Sequence, residues 1–334
     1  MAQIIISAKQ QQTARPQTPS RWQVRGRWRS STLLLIAAGL LVAGLMLLTP
    51  LYLVLRTAEA GWAVFDPVLT MRNAATWGRT ILLAVSVTGA AVVIAVPLAW
   101  LIERTDIFGR KILGVAAALP LVIPSYVFAY LFISMFGPRG TLQSWLAPFG
   151  IERLPDLYGF WGAWIVLTLV SYPYVYLSVR AAIARLDPSL AEAGRSLGLN
   201  AQQVFWRIIL PQLRPAIVAG SLLVSLYTLR DFGAVMLLRY STFTRAIYVQ
   251  YQSFFSRSYA ASLALQLVLI TGVILYIDWR TRGKARYERL SIGAARQACQ
   301  IKLGVWRWPA FVFVCGVIGV SLIGPAVSLI YWLG

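Results

Sequence analysis

Histidine is absent from the 334 residues, and cysteine occurs only twice, at Cys299 and Cys315. The first absence excludes any catalytic triad or metal site that relies on imidazole. The second excludes a disulfide framework and a four-thiolate zinc site. Acid is scarce, with 11 Asp+Glu against 31 Lys+Arg, a formal net charge of +20. Charged residues of both signs make up 13% of the chain, where a soluble domain carries about 25%. A mean hydropathy of +0.67 argues in the same direction, against a water-soluble globule. No Gly-Lys-Ser/Thr phosphate loop occurs, so the chain itself is not expected to bind ATP.

What the sequence does have is long apolar runs. A bilayer core about 30 Å thick needs ~20 apolar residues at 1.5 Å each. Seven runs meet that length: 31–55, 80–102, 112–136, 158–179, 215–238, 261–279 and 309–332. They are long and unbroken, without the alternation of a membrane barrel, so an all-α polytopic bundle is expected. Several contain proline, at Pro50, Pro97, Pro120, Pro124, Pro173 and Pro325. Kinks are expected there, although membrane helices tolerate proline in general.

Basic residues set the orientation. The segments before the first run and between runs two–three, four–five and six–seven hold 22 Lys+Arg, and the opposite side holds 8. The positive-inside rule then puts the N-terminus in the cytoplasm. The +20 charge is thus mostly an inner-face bias, and no nucleic-acid partner is expected. The first run is too long for a signal-peptide core and reads as an uncleaved span. Residues 1–30, rich in Gln, Thr, Pro and Arg, read as a disordered basic tail, whose arginines could hold anionic lipid headgroups.

The segment 180–214, between the fourth and fifth runs, is the most informative. Asp187 suits an N-cap, Pro188 the first helical position, and Gly198 a left-handed stop. A helix of about ten residues should lie between them, with Leu190, Ala193, Gly194 and Leu197 on one face. Ala193 and Gly194 would make the centre of that face low, open to close approach by another surface. Asn200 could cap a second helix with Gln203 reaching back, and Pro211 and Pro215 would end it and begin the fifth span. So short a helix is marginal alone and should pack on something. Glu192 and the small residues favour a protein groove over lipid.

Glu192, Ala193, Gly198, Ile208, Leu210 and Pro211 stand at spacings that resemble the coupling loop of importer permeases in the ATP-binding-cassette (ABC) superfamily. One position departs: Gly194 stands where that pattern usually has Ala, which loosens the helix by up to ~1 kcal/mol. The resemblance implies a six-helix type I permease unit over residues 31–280. Its loop helix would dock in a cytoplasmic ATPase dimer that carries ATP and Mg. It further implies a periplasmic substrate-binding protein, a second permease unit, fused or separate, and a bacterial inner-membrane location. By the resemblance Glu192 would face a basic or polar partner, and Ala193 and Gly194 would permit close packing. The phrases at 73–80, 119–126, 231–235 and 244–248 resemble the iron(III) branch. Related permeases for thiamine, phosphonate and polyamine share similar phrases. Residues 281–308 read as a basic cytoplasmic linker. Residues 309–334 read as an additional helix resembling the start of a second unit, or as the last helix of a seven-span protein.

Arg230 and Asp231 form the adjacent charged pair within an expected span. Two readings stay open: a translocation path or outer gate, or a pair that marks a helix end. Tyr126, Tyr130, Tyr172, Tyr174 and Tyr227 are pore-lining candidates whose plainer role is packing. Trp62, Trp77 and Trp145 fit an interfacial belt. No catalytic or metal-ligating constellation is present. An ion-gradient-driven transporter using Arg230 and Asp231 is the alternative to the ABC permease, and a membrane enzyme is disfavoured by the lack of histidine and of paired carboxylates in the spans.

Overall fold

The computed structural model describes residues 29–59, 71–137, 140–150, 155–252, 257–281 and 301–333. Among these the chain is helical, apart from one isolated bridge between Thr105 and Ile301. It divides into two compact units, Met1–Tyr52 and Leu53–Gly334. The described part of the first unit is helix α1, Arg29–Glu59, which runs on past the boundary. Its sequence is apolar all round rather than along one stripe, the pattern of a helix that meets hydrocarbon on every side.

The second unit is built on α2 (Met71–Arg104) and α6 (Phe160–Arg185), with α9 (Leu210–Arg230) packed on both. Along α2, Leu83, Val87, Ala91, Ala95 and Ala99 recur every fourth residue and are buried. Lipid gives helices no hydrophobic reason to associate, so small residues that let backbones approach provide the packing. On α6, Val166, Val170, Val175, Val179 and Ile183 complete that core. Among the described residues, six helices are long and apolar enough to cross a membrane. Pro50, Pro97 and Pro173 lie inside α1, α2 and α6 without ending them.

Three expectations need correction. The run 112–136 is not one rod. It folds as α3 (Arg110–Ala116), a 3-10 turn (Leu119–Val122) and α4 (Ser125–Phe136), with a sharp bend between Val122 and Ser125 and the short α5 (Thr141–Leu146) after it. Pro120 and Pro124 each remove a donor, and Ile123, ahead of Pro124, is extended (ψ 119°), as the clash with a proline ring requires.

The fifth span does not run to 238. It stops at Arg230, and a separate short helix α10 (Gly233–Leu237) follows. Asp231 ends it: its Oδ1 accepts the Ala234 N–H at 3.0 Å, so the side chain caps the next helix instead of continuing the first.

Nor do Pro211 and Pro215 break the chain at the start of that span. α8 (Ala201–Val204) continues through a π-turn (Phe205–Ile209) into α9. The wider turn absorbs the missing proline donors, and the Gln212 side chain donates to the Ile208 carbonyl at 2.9 Å.

Beyond α10 lie α11 (Phe243–Gln252) and α12 (Arg257–Thr281). The Trp77 indole N–H donates to Gln266 Oε1 at 2.7 Å, tying α2 to α12. The last described helix is α13 (Arg307–Ile318), a π-turn (Gly319–Ile323) and α14 (Gly324–Leu333). It packs into the unit, with Val314 and Ile318 in the core. Its Ser321 hydroxyl lies 3.3 Å from the Tyr172 hydroxyl, and Ser328 donates to the Leu131 carbonyl at 3.4 Å. The expected basic tail (1–30) and linker (281–308) fall mostly outside the described residues, as do Trp62 and the side chain of Trp145.

Candidate functional site

The loop helix α7, Pro188–Ser196, is closed at both ends by its own sequence. Asp187 Oδ1 accepts the Ser189 N–H at 3.0 Å, with Pro188 in the first turn. At the other end Gly198 has φ +85°. The Leu199 N–H reaches the Gly194 carbonyl at 3.1 Å and the Gly198 N–H the Arg195 carbonyl at 2.9 Å, the paired bonds of a Schellman stop. α8 then opens on a reciprocal cap: Gln203 N–H to Asn200 Oδ1 at 2.8 Å, and Asn200 N–H to Gln203 Oε1 at 3.0 Å.

The face of α7 is divided. Leu190, Glu192, Ala193 and Leu197 are exposed, Leu197 at 83%. Gly194 is buried against α8 and its π-turn, where a Cβ would stand 2.5 Å from Ile208 Cδ1 and 3.4 Å from Val204 Cγ2. The low centre expected of Ala193 and Gly194 together is therefore split. Ala193 remains on the outer surface, and Gly194 lets α7 lie on Ile208. Ile208 is half-buried, and Leu210 and Pro211 begin α9 beneath it.

Sequence reasoning missed how this loop is fastened. The Arg104 guanidinium, at the C-terminus of α2, donates through Nη2 to the carbonyls of Ile183 (2.9 Å) and Leu186 (3.4 Å). Those carbonyls belong to the last turn of α6 and the residue after it, where a helix presents unsatisfied acceptors and the negative end of its dipole. Arg180 pairs with Glu103, and its Nη1 shares the Gly114 carbonyl with the Tyr176 hydroxyl, both at 3.0 Å. Trp100 meets Phe205 edge-to-face at 5.0 Å. The same end receives the lead-in to α13, where the Ile301 N–H donates to the Arg104 carbonyl at 2.8 Å and the Leu303 N–H to Asp106 Oδ1 at 3.1 Å. No local signal could have shown these partners, which lie 62 to 197 residues apart.

Arg104→Ala removes charge-assisted bonds worth about 1.5–3 kcal/mol. The backbone amides of Leu186, Asp187 and Ser189 should then exchange with solvent at least ~tenfold faster, while the middle of α6 keeps its protection; hydrogen-exchange mass spectrometry reads both.

At the far end of α9, some 30 Å away at 1.5 Å per residue, a cavity of about 870 Å³ opens between α4, α6, α9 and α10. Arg230 and Asp231 both line it, Arg230 as the last residue of the span and Asp231 just beyond it. Arg230 is the last residue of α9, exposed, its guanidinium 5.4 Å from the centre of the Tyr227 ring. Asp231 is 7% exposed and spent on the α10 cap. Of the five tyrosines, Tyr126, Tyr174 and Tyr227 face the cavity, whereas Tyr172 is fully buried in the bundle core. No group of three or more metal-ligating side chains occurs among the described residues.

Residues 91–280, which hold both the loop and the cavity, match the family model of the binding-protein-dependent transport system inner membrane component. The chain belongs to this family. Among its relatives is the Fe(3+)-transport system permease protein FbpB 2 of Haemophilus influenzae, 36% identical over 301 residues. That alignment covers 88% of this chain and 55% of the relative, so the chain spans about half the length of that protein. The sulfate transport system permease protein CysT of Escherichia coli is 29% identical over 77% of this chain and 94% of its own length. The molybdenum transport system permease protein ModB of the same organism is 30% identical over 61% and 93%. A solved bacterial ABC transporter that imports the acidic polysaccharide alginate has a chain that superposes with a TM-score of 0.57. It shares 17% identity and covers 77% of this chain and 97% of its own, which establishes a common fold.

Proposed function

We propose that this chain is the membrane permease of an ATP-driven importer in a bacterial inner membrane, its N-terminus in the cytoplasm. In this reading α7 seats in a cytoplasmic ABC ATPase dimer that supplies ATP and Mg. A periplasmic binding protein delivers iron(III), and a second permease unit, fused or separate, completes the path. The observation that carries the reading is the construction of α7. A nine-residue helix, too short to be stable alone, is capped at both ends and led into by Leu186, whose carbonyl Arg104 of α2 holds, yet leaves Glu192, Ala193 and Leu197 uncovered. Such a rod transmits displacement to α6 and α9. The permeases of the iron(III), sulfate and molybdenum systems among the relatives support a cargo that is an inorganic ion, and the 36% identity favours iron(III).

Co-purification of an ABC ATPase with the solubilised chain tests the partnership. Charge reversal at an interface costs roughly 2–5 kcal/mol, so Glu192→Arg should lower ATP-driven uptake of radioactive iron(III) at least ~tenfold. Insertion into the membrane, read by protease protection, should be unchanged. Uptake that survives ATP depletion and collapses with the proton or sodium gradient sinks the importer reading in favour of a gradient-driven transporter.

A further inference from the structure

We infer that α13–α14 is a second transmission rod, which takes up displacement at the inner end of α2 and delivers it to α4 beside the cavity; Ile301 and Asp106 are the positioning residues that fasten its driven end. The inference rests on the importer reading of α7. The lead-in to α13 is joined to the corner between α2 and α3 by its own backbone donors. The Ile301 N–H reaches the Arg104 carbonyl at 2.8 Å, the Leu303 N–H reaches Asp106 Oδ1 at 3.1 Å, and Thr105 bridges to Ile301 in parallel register. This is the corner whose Arg104 guanidinium holds the Leu186 carbonyl ahead of α7 at 3.4 Å. Ile301 also lines a small hollow of about 60 Å³ against α7, together with Leu186, Leu190 and Ile208. A shift of α7 therefore reaches Ile301 both through the guanidinium and through packed side chains.

From that corner the helix runs on without a break. The stretch Gly304–Tyr331 is 28 residues long, about 40 Å at 1.5 Å per residue. The π-turn at Gly319–Ile323 widens it without interrupting it. Midway, the Ser321 hydroxyl meets the Tyr172 hydroxyl of α6. The far part closes on α4. Ser328, 2% exposed, donates to the Leu131 carbonyl, and a Cβ at Gly324 would stand 3.9 Å from Met135 Sδ. α4 in turn opens on the cavity with Ser125 and Tyr126. The chain's own path from the α2 corner to α4 is poorly built to carry a push. It passes Pro120, the extended Ile123 and Pro124, a bend that absorbs displacement as a hinge does. A continuous helix that grips both sides of this bend carries across it what the bend would take up.

The test uses the assembled transporter in membrane vesicles with its ATPase and binding protein, in a background of Cys299→Ser and Cys315→Ser. One reporter is introduced at a time, Tyr126→Cys on α4 or Tyr227→Cys on α9, both at the cavity. The rate of labelling by a water-soluble maleimide is compared without nucleotide and with ATP trapped by vanadate. With the lead-in intact, both reporters should change rate on trapping. A bond to a charged acceptor is worth about one to two factors of ten, so Asp106→Ala should shrink the α4 response at least ~fivefold. The α9 response, driven through the π-turn beneath α7, should stay within ~twofold. Asp106→Asn keeps an acceptor oxygen and should match the intact lead-in within ~twofold at both reporters. Ile301→Pro, which deletes the other donor, should reproduce Asp106→Ala. Without reporters, Asp106→Ala should lower uptake of radioactive iron(III) at least ~fivefold while stimulated ATP hydrolysis stays within ~twofold. Unchanged α4 responses in both Asp106→Ala and Ile301→Pro overturn the inference and leave the importer reading intact. Parallel loss at α4 and α9 also overturns it, by showing that the lead-in supports the bundle as a whole, and so does an intact lead-in with which α9 alone responds. An intact complex with no nucleotide response at either reporter and no ATP-driven uptake overturns the importer reading as well.

Discussion

Gly198→Val should leave the chain inserted and folded yet remove most ATP-driven uptake, at least ~tenfold for a motif loss of about 2 kcal/mol. Gly198 has φ +85°, and a Cβ there would meet nothing within 4 Å. The penalty is therefore conformational rather than steric: about 1–2 kcal/mol for an ordinary side chain in the left-handed region, and more for a β-branched one. It falls on a small structure. The two Schellman bonds, Leu199 to Gly194 and Gly198 to Arg195, close a helix of nine residues, which has little other means of holding its last turn. Of this turn Leu199 packs against the core cluster, while the buried side chains of α2 and α6 pack mainly on one another, so thermal stability should move little. Uptake and stimulated ATP hydrolysis measured in the same vesicles should separate, with hydrolysis falling less than transport or running unstimulated. Asn tolerates the left-handed region better than other residues, so Gly198→Asn should lie between wild type and Gly198→Val. Equal uptake by all three would show that the stop does not matter to coupling.

The ends of α7 were legible in the sequence because caps are local. Asp187 and Ser189, Asn200 and Gln203, and Gly198 with its left-handed turn each lie within three residues of their partners. Hydropathy served less well where backbone donors decide. Residues 112–136 read as one kinked span because the apolar neighbours of Pro120 and Pro124 outweigh them in a run of that length, and the run does not show that two missing N–H groups so close together turn a kink into a break. Residues 215–238 read as one span because Leu229 and Val235 are equally apolar on either side of Asp231. Yet an acid three residues ahead of Ala234 is a cap signal that could have been weighed. The side of α7 that turns inward was not legible at all. A helical wheel groups Leu190, Ala193, Gly194 and Leu197, but which of them meets the protein depends on Val204 and Ile208 folding back across the Gly198 turn. Arg104 is further out of reach, its acceptors being 79 and 82 residues away.

That inward turn of Gly194 makes its substitutions diverge by size rather than by polarity. In Gly194→Ala the new Cβ stands 2.5 Å from Ile208 Cδ1, the far end of a flexible side chain, with Val204 Cγ2 at an ordinary 3.4 Å. Rotation of Ile208 can relieve the contact, and helix propensity returns up to ~1 kcal/mol. Uptake within about twofold of wild type is expected, in keeping with the alanine usual at this position of the coupling-loop pattern. Gly194→Leu has no such escape. Overpacking of ~1–3 kcal/mol must lift α7 off Val204 and Ile208, displacing the exposed Glu192 and Leu197. Uptake should then fall at least ~tenfold while insertion persists. The cause is separable from a general disturbance. Ile208→Ala removes the atoms that the introduced leucine would strike, so combining it with Gly194→Leu should restore a substantial part of the uptake, whereas combined with wild-type Gly194 it should lower uptake modestly by leaving a gap. A coupling of at least ~1 kcal/mol between the two positions in that cycle would establish that α7 works by resting on Ile208; strict additivity would show that its inner face contributes nothing to the stroke.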